Sequence, residues 1–279
     1  MSLPSRLAVA LLGASSLVVA CGASSSTPAP EASTQARPAA VATAAPAVES
    51  YGYEIIKSHP HDPASFTQGL TIADGQLYEG TGLHGQSSLK RVDLQTGAAL
   101  QRIELDSKYF GEGIAVVGDR IVQLTYQTGV GFVYDRKTFA KLKEFTYSGE
   151  GWGLTYDGQR LIMSDGSDTL RFWNPETQEE IGRLRVRDGD RAIERINELE
   201  YVDGALYANI WQEDRIARID PKTGVVTAWI DMSNLLTATE RSRGVDVLNG
   251  IAHDPKTGNF LITGKLWPWV FEVKFVRRG

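Results

Sequence analysis

Apolar and polar residues alternate along most of residues 51–279, in short runs cut by Gly, Asp and Pro. Alternation at period two predicts strands with one buried face, and the Asp-Gly and Gly-Asp steps between runs predict tight hairpins. The runs also repeat. "FTQGLTIADGQLYEGT", "FGEGIAVVGDRIVQLTY", "GWGLTYDGQRLIMSDG", "INELEYVDGALYANIW" and "LNGIAHDPKTGNFLITGK" share one plan: a turn residue, an alternating strand, a hairpin turn and a second strand. A second phrase follows most of them, as "LKRVDLQTG", "GFVYDRKT", "LRFWNPET" and "IARIDPKTG", each a strand running into a turn rich in Asp, Pro, Thr and Gly.

Aligned on Gln68, Glu112, Trp152, Asn197 and Asn249, the units recur every 40–50 residues or so. Short strands, four to a unit at such a period, predict an all-β, five-bladed β-propeller. The lead-in "GYEIIKSHPH" and the closing "WVFEVKFV" both read as strands, and their pairing would close the ring and hide two edges. "DMSNLLTATERSR" reads as a short loop or helical insert before the last unit.

The first strand of a propeller unit lines the central channel, so the five aligned residues should converge on one channel mouth. Four of them are polar. The ends of the second strands offer a second ring there, Glu79, Tyr126, Asp165, Trp211 and Lys265. Aromatic walls around a few convergent polar groups make a pocket. Glu112 in "FGEGI" is its most informative member, because a carboxylate walled by aromatics loses hydration and gains proton affinity, while a lysine beside it would oppose that. The flanking Gly111 and Gly113 are expected to let backbone and substrate approach closely.

The N-terminus changes the picture of where such a domain resides. "MSLPSRLAVALLGASSLVVA" pairs one early cation with a short apolar run ending in small residues, the pattern of an export signal. Cys21 follows directly and is the only cysteine, which excludes an internal disulfide framework. The stretch resembles a bacterial lipobox, so residues 1–20 are expected to be a lipoprotein signal and Cys21 the site of lipid attachment. Gly22 stands where an inner-membrane retention Asp would be, so an outer-membrane anchor facing the periplasm is expected, with a soluble secreted or periplasmic form as the alternative. Residues 21–50, rich in Ala, Ser, Thr and Pro, form a tether, and 51–279 the propeller.

The chain carries 29 Lys and Arg against 34 Asp and Glu, a net charge of −5 that argues against a nucleic-acid partner. Its four histidines, His59, His61, His84 and His253, show no metal-ligand spacing, and "HPHD" reads as a structural turn before the first unit. No metal or other cofactor is expected. A closed ring needs no partner subunit, so a monomer is expected.

Together "FTQGL", "YEGTGLHGQSSLKRVDLQTG", "FGEGI", "QLTY", "GWGLT", "INELEYVDG", "ANIW", "RIDPKTG" and "LNGIAHDPKTGNFLITGKLWP" resemble the glutaminyl-peptide cyclotransferases of plants and bacteria, over about residues 53–275. The resemblance implies a metal-independent five-bladed propeller that converts an N-terminal glutamine of a peptide or protein to pyroglutamate and releases ammonia. It implies Glu112 as catalytic acid and base, Lys265 and Asn197 as further catalytic groups, and Gln68 as a substrate-binding partner. Phe66, Phe110, Trp152 and Trp211 would be the aromatic walls. Tyr126 in "QLTY" departs from the family's frequent "QLTW" and would alter the pocket's shape. Two other readings stay open: a non-enzymatic binding propeller, and a metal-dependent propeller hydrolase that would draft Glu112, Asn197 and Asn249 as ligands.

Overall fold

The computed structural model describes Gly22 and residues 47–279; the signal, Cys21 and nearly all of the tether lie outside the described residues. The first strand, β1 (Glu49–Pro60), begins two residues inside the stretch assigned to the tether. Glu49 is part of the fold because its carboxylate takes Arg218 at 2.6 Å and Arg277 at 3.1 Å.

Each sequence repeat folds as an antiparallel meander. The first comprises β2 (Thr67–Ala73), β3 (Gln76–Thr81), β4 (Ser88–Val92) and β5 (Ala99–Glu104). The second comprises β6 (Gly111–Val117), β7 (Arg120–Thr125), β8 (Val130–Asp135) and β9 (Lys141–Thr146), and the third β10 (Leu154–Tyr156), β11 (Leu161–Met163), β12 (Thr169–Trp173) and β13 (Glu180–Arg185). A charged stretch then makes a small hairpin that the alternation did not predict, β14 (Arg187–Asp188) with β15 (Arg191–Ala192).

The fourth meander is β16 (Ile196–Val202), β17 (Ala205–Ile210), β18 (Arg215–Ile219) and β19 (Val226–Asp231). The expected insert is one helical turn, α1 (Ala238–Arg241), started by a capping box between Thr237 and Glu240. It leads to β20 (Leu248–Asp254), β21 (Asn259–Gly264) and β22 (Trp269–Arg277). The expected terminal pairing is present: β1 runs antiparallel to β22 from Tyr51–Arg277 to Pro60–Trp269. In addition, Glu49–Tyr51 pair in parallel with Ala228–Ile230 of β19, so the fourth and fifth meanders fuse into one eight-stranded sheet.

The first strands pack side by side in the order β2, β6, β10, β16, β20 and back to β2. Between successive meanders lies a separate apolar cluster. Ile114, Ile121 and Phe132 meet Tyr78 and Leu89, and Leu124 and Val133 meet Leu154, Leu161 and Met163. Ile162 and Leu170 meet Leu199 and Leu206, Ile216 and Ile230 meet Leu248 and Ile262, and Leu70 and Leu77 meet Ala252 and Leu261. The core is thus distributed around the inner strands, each sheet burying both faces except at its outer strand.

Candidate active site

Four of the five inner strands, all but β10, share a defect. Pairing with the second strand slips between Thr67 and Gly69 in β2, Gly111 and Ile114 in β6, Ile196 and Leu199 in β16, and Leu248 and Ile251 in β20. Gln68, Glu112, Asn197 and Asn249 each fall inside one of these slips. An extra residue in one strand re-aims a side chain that would otherwise alternate across the sheet, and here it does so at the same end of these four inner strands.

These ends surround a pocket of about 390 Å³. Its lining contains the nine side chains that the resemblance implied for the site, Phe66, Gln68, Phe110, Glu112, Tyr126, Trp152, Asn197, Trp211 and Lys265, but not Asn249, Glu79 or Asp165, which the repeat alignment places at the same mouth. The rings form a continuous arc. Phe66 meets Phe110 edge to face at 6.0 Å, Phe110 meets Tyr126 at 5.8 Å, Tyr126 meets Trp152 at 6.4 Å and Trp152 meets Trp211 at 5.8 Å. Three of the four contacts are edge to face and Phe110–Tyr126 is tilted, and a chain of this kind holds each ring by its neighbour. The Lys265 ammonium sits 4.8 Å from the centre of the Phe66 ring and ends the arc with a cation.

Glu112 lies inside the arc, 4 % exposed. Its Oε1 accepts from Gln68 Nε2 at 3.0 Å, while Oε2 is buried without a hydrogen-bond partner. Gln68 is itself fixed, because its Oε1 accepts from Asn249 Nδ2 at 3.2 Å. Burial pushes the Glu112 carboxyl well above the usual carboxylate range; Lys265 opposes this and Glu150 adds to it. Burial likewise pulls the Lys265 ammonium down, against the attraction of Glu112 and Asp246. A buried acid and a buried amine, each shifted toward its neutral form, are groups suited to exchanging protons with a bound ligand.

Other aligned residues lie elsewhere. Asn249 is buried behind Gln68, where Nδ2 also donates to the Thr67 carbonyl at 3.0 Å. Glu79 is buried against His61, and Asp165 is a half-buried turn residue that accepts from Ser167. The close approach at Gly111 and Gly113 is to protein backbone rather than an open face for substrate. A Cβ on Gly113 would fall 2.5 Å from the Trp152 carbonyl oxygen, and one on Gly111 2.6 Å from that of Thr81. His59 and His61 of "HPHD" turn to different partners, Glu272 and Glu79.

Sequence reasoning missed Gln212, Asp246 and Val247, which complete the lining. Gln212 follows Trp211 with a left-handed backbone, φ 65°, and the other two sit between α1 and β20 outside the repeated phrase. It also missed Glu198. The residue after each aligned position is Gly69, Gly113, Gly153 or Gly250, and in the fourth repeat alone it carries a side chain. Glu198 spans from β16 to accept the Leu70 N–H at 3.1 Å and the Ile251 N–H at 2.8 Å, tying three inner strands together.

A family model described as glutamine cyclotransferase matches residues 25–275. The chain is similar to a glutaminyl-peptide cyclotransferase of Arabidopsis thaliana, 43% identical over 225 residues that cover 79% of this chain and 70% of that protein. It is also similar to the crystal structure of Myxococcus xanthus glutaminyl cyclase, with a TM-score of 0.78, 36% identity, and coverage of 84% of this chain and 100% of that one.

Proposed function

The chain belongs to the glutamine cyclotransferase family, and from that premise we propose that it cyclises the N-terminal glutamine of peptides and proteins to pyroglutamate with release of ammonia. The observation that carries the reading is the unpartnered Oε2 of Glu112, buried inside the aromatic arc with its proton affinity raised.

The α-amine attacks the γ-carboxamide carbon of the same residue, so the enzyme's first task is to hold the side chain folded over its own amine. A pocket walled by rigid rings suits that task, since fixing the reacting atoms at contact distance removes much of the entropic barrier. The second task is proton movement. Glu112 as carboxylate takes the proton that the ammonium must lose before or during attack. That proton then goes to the departing nitrogen as the C–N bond breaks and ammonia leaves, while the second proton that the attacking nitrogen must lose to become the lactam N–H returns to Glu112 and passes from there to ammonia or solvent. One acid within reach of both nitrogens is worth roughly 10²–10⁴ in rate. Gln68 holds Oε1, which leaves Oε2 for the transfer. Lys265 and Asn197 line the same pocket and are the donors proposed for the carbonyl oxygen as it gains charge.

Several finer features belong to the same proposal. The five repeats, the order of the inner strands and the β1–β22 pairing support a five-bladed propeller. The sequence of residues 1–22 supports a cleaved lipoprotein signal with a lipid on Cys21 and an outer-membrane anchor on the periplasmic side, and the composition of residues 21–50, less the two that β1 takes, supports a tether. The protein would act as a monomer.

The test is ammonia release from a Gln-initiated peptide by purified protein, with and without chelator. Turnover unchanged by chelator is expected. No turnover would refute the cyclase, and turnover abolished by chelator would favour a metal-dependent hydrolase.

A further inference from the structure

The "HPHD" motif is not absorbed by the pocket, yet the structure ties it to the pocket's cation. Lys265 is followed by a tight bend. Leu266 is in the left-handed region at φ 61°, where a branched side chain is unfavourable, and its N–H donates to the Ser65 carbonyl at 2.7 Å. The bend is held again at its far side, where the His61 N–H donates to the Pro268 carbonyl at 2.9 Å and His61 Nδ1 lies 2.7 Å from the Trp267 carbonyl.

A carbonyl only accepts, so His61 Nδ1 carries a proton. The other ring nitrogen, Nε2, lies 2.9 Å from Glu79 Oε1, which already accepts from Thr67 Oγ1 at 2.7 Å. The remaining Glu79 oxygen accepts from Ser65 Oγ at 3.2 Å and faces the Lys90 ammonium at 3.6 Å. Lys90 also reaches Asp62, at 3.2 Å. With a carboxylate so surrounded by donors, both ring nitrogens of His61 are donors and the ring is an imidazolium. Burial works against that charge, but the charge and hydrogen bond of Glu79 outweigh it and raise the His61 pKa. Burial would raise that of Glu79, yet the same pair holds it down at about 2.

We propose that His61 is a positioning residue of the cyclisation: anchored on Glu79, it grips the Trp267 carbonyl and so fixes the bend that holds Lys265 over Phe66 at the pocket. The inference rests on the reading that Lys265 works in that pocket. His61 touches no substrate; it acts through the loop. The segment it belongs to carries Phe66 and Gln68 at its other end, so the grip sets the spacing between the aromatic arc and its terminal cation.

A double-mutant cycle on a Gln-initiated dipeptide tests this, with kcat and KM measured for wild type, His61→Gln, Lys265→Ala and the pair. His61→Gln places its amide toward Glu79 and loses the Nδ1 donor. It is expected to lower kcat at least tenfold with KM within threefold, and to cost less than twofold on the Lys265→Ala background. Equal losses on both backgrounds would overturn the positioning role. His61→Asn restores a donor near the Nδ1 position and is expected to recover most of the loss; a loss as large as that of His61→Gln would overturn the grip. Should the variants fail to fold, nitrogen-15 spectra of the wild-type imidazoles at pH 7 decide, with two protonated ring nitrogens at His61 expected and a single N–H contradicting the proposal. Absence of wild-type turnover would refute the cyclase reading itself, and unchanged turnover in Lys265→Ala would overturn this inference while leaving the cyclase in place.

Discussion

At the scale of single residues, the competition at Glu112 decides what the pocket can do. The sequence placed a carboxylate, a lysine and aromatic walls together but left the sign of the net pKa shift open, since burial and a nearby cation act in opposite directions. In the structure burial wins, because Oε2 has no donor and Lys265 is itself partly desolvated. Glu112→Gln preserves shape and the bond from Gln68 can be replaced, so the variant should fold as wild type while losing about 10²–10⁴ in kcat, measured by ammonia release. The base must be ionised to act, so the acid limb of kcat/KM should lie above the ordinary glutamate pKa of about 4.5. Lysine at 265 lowers the Glu112 pKa, so Lys265→Ala should move that limb to still higher pH in the residual activity. A limb that moves down or stays fixed would show that Glu112 does not titrate against Lys265.

At the scale of elements, the glycines explain how five strands crowd one centre. The Gly113 N–H donates to the Trp152 carbonyl at 2.8 Å, and a Cβ there would press on that oxygen and on the Leu154 nitrogen, both backbone atoms that cannot swing away. Gly113→Ala is therefore expected to cost roughly 2 kcal/mol or more and to reduce turnover by displacing Glu112 and Trp152 together. Gly182→Ala, whose Cβ would stand 3.5 Å from Phe172 on an outer strand, should be neutral or stabilise by about 0.5 kcal/mol. Urea denaturation of both variants checks the contrast. The repeated hairpins were legible because alternation and turn chemistry are local, and repetition averaged out the noise in any one unit. The register slips around Gln68, Glu112, Asn197 and Asn249 were not, because a slip belongs to two strands at once. The parallel pairing of Glu49–Tyr51 with β19 escaped for a similar reason, since it joins residues far apart in sequence and outside the repeated phrase; Glu79 is inside the phrase, but its role depends on His61 and Ser65 in the segment before it. Asp246 and Val247 carried no signal, lying in a segment between α1 and β20 where the repeat is interrupted.

At the scale of the whole molecule, the ring's centre is chemically uneven. Two further carboxyls stand on β16, and burial raises both; Glu198 is pushed up further by Glu200, against the N–H groups of Leu70 and Ile251. Glu200 is raised to about 8 by burial, opposed by the His253 N–H and Thr155. A folded-state pKa above the unfolded value of about 4.5 means that the protonated group's contribution is complete below pH 4.5 and lost as pH rises through 8. Glu200→Gln can keep its carbonyl on the His253 N–H and turn its amide to Thr155. It should flatten that decline and raise Tm at pH 8 by roughly 4–8 °C, on the order of 2 kcal/mol, with little change at pH 4. Equal Tm differences at both pH values would mean that Glu200 is not protonated in the folded protein.

The strand that opens the described fold, β1, is held by β22 on one side and by β19 on the other. The first-formed segment thus waits for the last, and the pocket draws residues from Phe66 to Lys265. Contacts of such long sequence separation are slow to form. They also make activity a certificate of completeness at the C-terminal end: a chain cut short before Lys265 has neither the β1–β22 pairing nor a finished pocket, so a growing chain cannot modify peptides before its last strands are made.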